Sequence, residues 1–131
     1  MKIRPKSLLN SFILLFAMTI TLSAEGQDHR MVRLAKIQVD PAQLEQYNAA
    51  LKEQMAAAIK AEPGVLTYYA VADKADPSHI TILEIYADTA AYQAHIQTPH
   101  FKKYKATVQN MVKKLELVDV NLIAAAKKDG M

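Results

Sequence analysis

The chain has 131 residues, with 16 Lys or Arg against 13 Asp or Glu for a net charge of +3, and neither cysteine nor tryptophan. No disulfide can staple it and no cysteine-linked lipid can anchor it, so a packed core must hold it together. A domain this small buries only part of its surface alone, which favours self-association.

Lys2, Arg4 and Lys6 precede a run from Leu8 to Leu22 that is apolar apart from Asn10, Ser11, Thr19 and Thr21. This is the build of a secretory signal peptide, too short and too weakly flanked for a good membrane span. Cleavage after Gly26 is expected, leaving a domain of residues 27–131 that is periplasmic or secreted and free of the membrane. Losing Lys2, Arg4, Lys6 and Glu25 leaves 13 basic and 12 acidic side chains, a net charge of +1. With no basic stripe carrying interleaved aromatics, nucleic acid is not an expected partner.

Met31 to Val39 alternates loosely and reads as a first strand. Asp40-Pro41 opens a helix, because Asp accepts from free amides and proline suits the first helical position. Leu44, Tyr47, Leu51, Met55, Ala58 and Ile59 form its core-facing stripe. Glu62-Pro63-Gly64 ends it. Val65 to Ala72 and His79 to Ala87 read as strands joined through the Asp76-Pro77-Ser78 turn. Asp88 or Thr89 caps a short helix through His95. Thr98-Pro99 starts another, with Phe101, Tyr104, Val108, Met111 and Val112 as its buried stripe. Glu116 to Ile123 reads as the last strand.

The order is β-α-β-β-α-β with the second helical region split, a ferredoxin-like α+β domain. The second and third strands read as apolar on both faces. A sheet with helices on one side should show water a polar second face, so the second face is expected to pack on another sheet.

Glu84-Ile85-Tyr86, Ala91-Tyr92, His95 and Thr98-Pro99-His100-Phe101, taken together, resemble the antibiotic biosynthesis monooxygenase (ABM) family. That resemblance implies a dimeric α/β-barrel, a homodimer whose sheets pack face to face. It also implies oxidation of a small aromatic or quinone-like molecule by dioxygen, with no cofactor. The same fold serves isomerases of small phosphorylated metabolites and non-catalytic ligand-binding dimers. Heme-degrading relatives use an asparagine, a tryptophan and a histidine; the matching positions here look like Ala35, Tyr86 and Lys105, which argues against that activity.

His95 stands where many family members carry a histidine. An imidazole titrates near neutrality and can take a proton from a phenol and return it; the alternative is a packed helix-end histidine. Glu84, set in an apolar strand, must be paired or protonated if buried, and could orient His95 or His100, or bind a substrate hydroxyl. Tyr86 shares a strand face with Glu84, whereas Tyr68 and Tyr69 point opposite ways. Tyr86, Tyr68, Tyr104 and His100 are the expected pocket-lining residues, since a phenol ring offers flat apolar area and one hydroxyl. No metal is expected: His95 and His100 are five apart across a break, and no carboxylate completes a metal set.

Overall fold

The computed structural model describes residues 28–130, so the expected signal peptide over 1–26 lies outside the described residues. The elements are β1 (Met31–Val39), a 3-10 turn (Pro41–Gln43), α1 (Leu44–Ala61), β2 (Val65–Ala72), β3 (His79–Tyr86), α2 (Thr89–His95), α3 (Pro99–Val108) and β4 (Val112–Val120). All strand pairings are antiparallel, in the order β2-β3-β1-β4. This is the ferredoxin-like α+β arrangement, with the second helical region split as expected. Among the described residues, no helix is long and apolar enough to cross a membrane.

Register decides which side chains meet the helices. Ala35 pairs with Ile82 and Leu117, and Ile37 with Ile80 and Leu115. Ala35, Ile37, Ile80 and Ile82 pack with Tyr47 and Leu51 of α1 and Val108 of α3 to form the main core. Period two then places Arg33, Glu84 and Tyr86 on that same inner face. In β2 a bulge between Val65 and Thr67 shifts the register, so that Val65 pairs with Tyr86 and Tyr68 with Glu84. Strict alternation would put Val65 and Tyr68 on opposite faces. The inserted residue brings both inward, a re-aiming that bulges commonly perform.

Two expectations are corrected. The last strand runs over Val112–Val120 rather than Glu116 to Ile123, and Met111 and Val112 lie beyond the helix instead of on its stripe. The Met111 amide donates to the Val108 carbonyl at 2.8 Å, and the Met111 carbonyl accepts from Asp40, which turns the chain into the sheet. Lys113 and Lys114 hid this strand start, and a register shift opposite Gln38 and Val39 accommodates it. On α1, Ile59 is 50 % exposed, whereas Gln54 is buried in the stripe. In the single chain the outer face of β2 is open: Tyr69 and Val71, which pair with Leu83 and Thr81, are 61 % and 63 % exposed.

Gly64 sits where β2 leaves α1 and passes α2. A Cβ built there would lie 2.6 Å from the Ala91 Cβ, closer than two carbons can approach. Gly64→Ala is therefore expected to cost about 1–3 kcal/mol through overpacking. Urea denaturation of Gly64→Ala and of the double variant Gly64→Ala/Ala91→Gly checks this. Part of the loss should return in the double variant, and equal stability of wild type and Gly64→Ala would refute the close approach.

Candidate active site

The inner face of the sheet and the helices enclose a cavity of about 540 Å³. Its wall is largely aliphatic, with Ile37, Leu51, Met55, Ile82, Val108, Leu115 and Leu117, and carries Phe101 and Tyr104. Arg33, Gln54, Tyr68, Glu84, Tyr86 and His95 bring polar atoms to it. A volume of a few hundred Å³ and an apolar wall with a few convergent polar groups suit a small organic ligand.

Local structure explains how His95 is held. The Asp88 carboxylate accepts from the Ala91 amide at 2.7 Å and starts α2, which ends at His95. Thr98 caps α3 by accepting from the Phe101 amide, and its hydroxyl donates to the His95 carbonyl at 2.7 Å. One side chain thus clamps the end of α2 to the start of α3, with Pro99 at the first helical position. His95 is 1 % exposed, and its ring packs edge-on against Phe101 at 4.9 Å between centroids.

Both ring nitrogens of His95 are engaged. Nδ1 lies 2.8 Å from Glu62 Oε2, and His100 Nε2 lies 2.6 Å from the same oxygen. A carboxylate only accepts, so His95 Nδ1 and His100 Nε2 each carry a hydrogen and donate. In neutral His95 the other nitrogen, Nε2, is then an acceptor. It lies 2.9 Å from the Tyr68 hydroxyl and 3.1 Å from Gln54 Nε2. The Tyr68 and Tyr86 hydroxyls are 2.8 Å apart, and the Tyr86 hydroxyl is 3.0 Å from Glu84 Oε2. The Tyr47 and Tyr104 hydroxyls pair at 2.7 Å. The Arg33 guanidinium donates to Asp119 at 2.7 Å and lies 4.5 Å from the centre of the Tyr92 ring.

Electrostatics follow burial. Desolvation pushes the Tyr47, Tyr68, Tyr86 and Tyr104 phenols well up, so they remain protonated across neutral pH. Burial also raises the Glu84 carboxyl, against the lowering effects of the Tyr86 hydrogen bond and the Arg33 charge.

The structure brings Glu84, Tyr86, Tyr68, His95 and Tyr104 to one cavity. It differs from the sequence reading in one respect: His100 does not line the cavity and stands behind His95, on Glu62. Of the roles open to Glu84, holding a histidine falls to Glu62, which holds both. His95 lies at the cavity wall with the Tyr68 hydroxyl and Gln54 on its Nε2. Glu62 and Gln54 were missed. The one trace of Glu62 in the sequence is an acid at the Pro-Gly helix stop, and its role emerges only when α1 meets α2 and α3. His29 and His79 are exposed, as expected.

A carboxylate does therefore complete a two-histidine set: Glu62, His95 and His100 offer ligand atoms within 4.8 Å of one another. As they stand, two imidazoles share one carboxylate oxygen, at 2.8 Å from His95 and 2.6 Å from His100.

The family model for antibiotic biosynthesis monooxygenase matches residues 30–107. The crystal structure of a candidate antibiotic biosynthesis monooxygenase from Bacteroides thetaiotaomicron VPI-5482 is 55 % identical, covering 76 % of this chain and 95 % of that one, with a TM-score of 0.73. A second candidate of that description, from Nitrosomonas europaea, shares the fold at 21 % identity and a TM-score of 0.69, over 74 % of this chain and 93 % of that one. An uncharacterised protein of Synechocystis is 25 % identical over 114 residues, which are 87 % of this chain and 77 % of that protein. The family match spans well over half the chain and takes in β1 through α3, the elements that carry Glu62, Tyr68, Glu84, Tyr86 and His95: the chain belongs to the antibiotic biosynthesis monooxygenase family.

Proposed function

We propose that this protein is an exported, homodimeric monooxygenase that oxidises a small phenol or quinol with dioxygen and needs no resident metal or flavin. The observation that carries the reading is the polar line Glu84–Tyr86–Tyr68–His95, set in an otherwise apolar cavity. A flat aromatic substrate fills the apolar space and presents its hydroxyl to Glu84.

In its ionised form Glu84 takes the phenolic proton, and burial makes it a stronger base than an exposed carboxylate. The phenolate is electron-rich at its ortho and para carbons and transfers one electron to dioxygen. Recombination of the resulting pair forms a C–O bond and a peroxide at one of these carbons that bears hydrogen. Loss of that C–H proton and cleavage of O–O then give the carbonyl, and the distal oxygen leaves with protons as water. The sum is phenol plus dioxygen to quinone plus water. Excluding water from the cavity strengthens each electrostatic contact and protects the anion. Glu62 keeps His95 in one tautomer behind the tyrosines, so His95 acts through Tyr68 rather than on the substrate directly.

The dimer is supported by the outer sheet face, where Tyr69 and Val71 stand open to water beside half-buried Leu34 and Leu83. Burying such side chains is worth about 1.5–3 kcal/mol each. Export rests on the character of residues 1–26.

Oxygen uptake by the purified domain should exceed the autoxidation blank with some hydroquinone or polyphenol, chelator present, and Glu84→Gln should reduce it at least tenfold. No uptake with any of them, alongside ligand-induced thermal stabilisation, would replace the enzyme by a binding module. The raised Glu84 carboxyl also has a stability consequence. Its folded pKa lies above the ordinary glutamate value of 4.5, so the native state favours the protonated form. That contribution is complete below 4.5 and is lost as pH rises through the folded value. Glu84→Gln should thus lose less stability than wild type from pH 4.5 upward in urea titrations; parallel pH profiles would show that Glu84 is not held as a neutral acid. On the outer face, Val71→Asp is expected to shift the sedimentation profile from dimer to monomer, and a monomeric wild type would remove the dimer from the proposal.

A further inference from the structure

We propose that Glu84, Tyr86, Tyr68, His95, Glu62 and His100 form one continuous path that exchanges protons between the cavity and solvent. The five links measure 3.0, 2.8, 2.9, 2.8 and 2.6 Å in that order, each within hydrogen-bonding distance. At one end Glu84 faces the cavity. At the other, the His100 side chain is 21 % exposed, whereas His95 is sealed at 1 %.

Donor counting shows why the links act together. Each tyrosine hydroxyl has one hydrogen to give, so the segment from Glu84 to His95 has two consistent arrangements. In the first, Glu84 is protonated and donates to Tyr86, Tyr86 to Tyr68, and Tyr68 to the bare Nε2 of His95. In the second, every hydrogen has moved one place. His95 is now an imidazolium donating to Tyr68, Tyr68 donates to Tyr86, and Tyr86 to ionised Glu84. The two differ by the transfer of one proton across three bonds, and the Gln54 amide turns so that its oxygen meets the new Nε2–H. The tyrosines remain neutral in both, as their burial requires.

Glu62 completes the circuit. It faces the His95 imidazolium as a counter-ion and takes the Nδ1 proton; with His100 in its Nδ1–H tautomer, Glu62 passes a proton to the bare Nε2 and His100 releases its Nδ1 proton to water. One proton enters and one leaves. The groups facing His95 are Glu62 and Gln54 from α1, Tyr68 from β2, Tyr86 from β3, and His100 with Phe101 from α3. The Arg33 charge from β1 acts at the Glu84 end.

The path rests on the proposed chemistry only for its purpose. A substrate that fills the cavity also excludes the water that would otherwise carry its proton. The phenolic proton must leave before oxygen reacts, and protons must return to make water.

The test needs no oxygen chemistry. 4-Nitrophenol, whose phenolate is coloured, is bound anaerobically to the full domain, and its ionisation is followed after a stopped-flow pH jump. Tyr68→Phe breaks the path inside and should slow relaxation at least tenfold, with no rescue by imidazole. His100→Ala breaks it at the surface and should slow relaxation comparably, with the rate restored in proportion to added imidazole. Tyr86→Phe is a second internal break, and thermal melts confirm that each variant is folded. Equal rates in wild type and all three variants would overturn the path. So would imidazole rescue of Tyr68→Phe to the same degree as His100→Ala, because the proton would then be leaving by the cavity mouth.

Discussion

One carboxylate oxygen organises this site. Glu62 Oε2 accepts from His95 at 2.8 Å and from His100 at 2.6 Å, and so ties the end of α1 to α2 and α3. The consequence reaches further than three helices. Because Glu62 fixes the hydrogen on Nδ1 of His95, Nε2 must face the sheet as an acceptor when the ring is neutral. Tyr68 answers it, Tyr86 answers Tyr68, and the line ends on the Glu84 carboxyl inside the cavity. Charge-assisted bonds of this kind are roughly twice as strong as neutral ones. A buried polar group that loses its partner costs about 1–3 kcal/mol, so the line persists as a whole rather than as separate pairs.

Burial sets what those groups can do. The four inward tyrosines are desolvated and keep their protons. They can relay a proton by shifting hydrogen bonds, but they cannot store one as tyrosinate. Glu84 and the Glu62–His95–His100 group are the places where charge can rest, one at each end of the phenolic pair. The apolar wall between Ile37, Ile82 and Leu115 adds no competing donors, so a substrate hydroxyl in the cavity meets few polar atoms, with Glu84 among them.

Much of this was legible in the sequence where the signal is local. Asp88 and Thr98 advertise two helix starts, and both caps form. The alternating strands gave the sheet, and parity put Glu84 and Tyr86 on one face. The site was legible only in part. His95, Tyr68, Tyr86 and Glu84 carried recognisable chemistry, but their partners lie far off in the chain. Glu62 is 33 residues from His95 and 38 from His100. Gln54 falls outside the apolar stripe read from the sequence, yet it is buried against the imidazole. The start of β4 was obscured by two lysines, because a strand at the sheet edge can carry charge that a central strand cannot.

The bulge in β2 connects these observations. Without a bulge between Val65 and Thr67, alternation along this sequence would leave only one of Val65 and Tyr68 facing inward. Val65 is needed there to close the small core with Ala58 and Tyr86 beneath α2. Tyr68 is needed there to bridge His95 and Tyr86. A regular strand could supply the packing or the hydroxyl, but not both. The bulged residue, Leu66, is left 47 % exposed. A solvent-exposed leucine carries a hydrophobic penalty that a fully packed one does not. The fold therefore gives up some burial at the rim of the sheet to set a phenol between an imidazole and a second phenol.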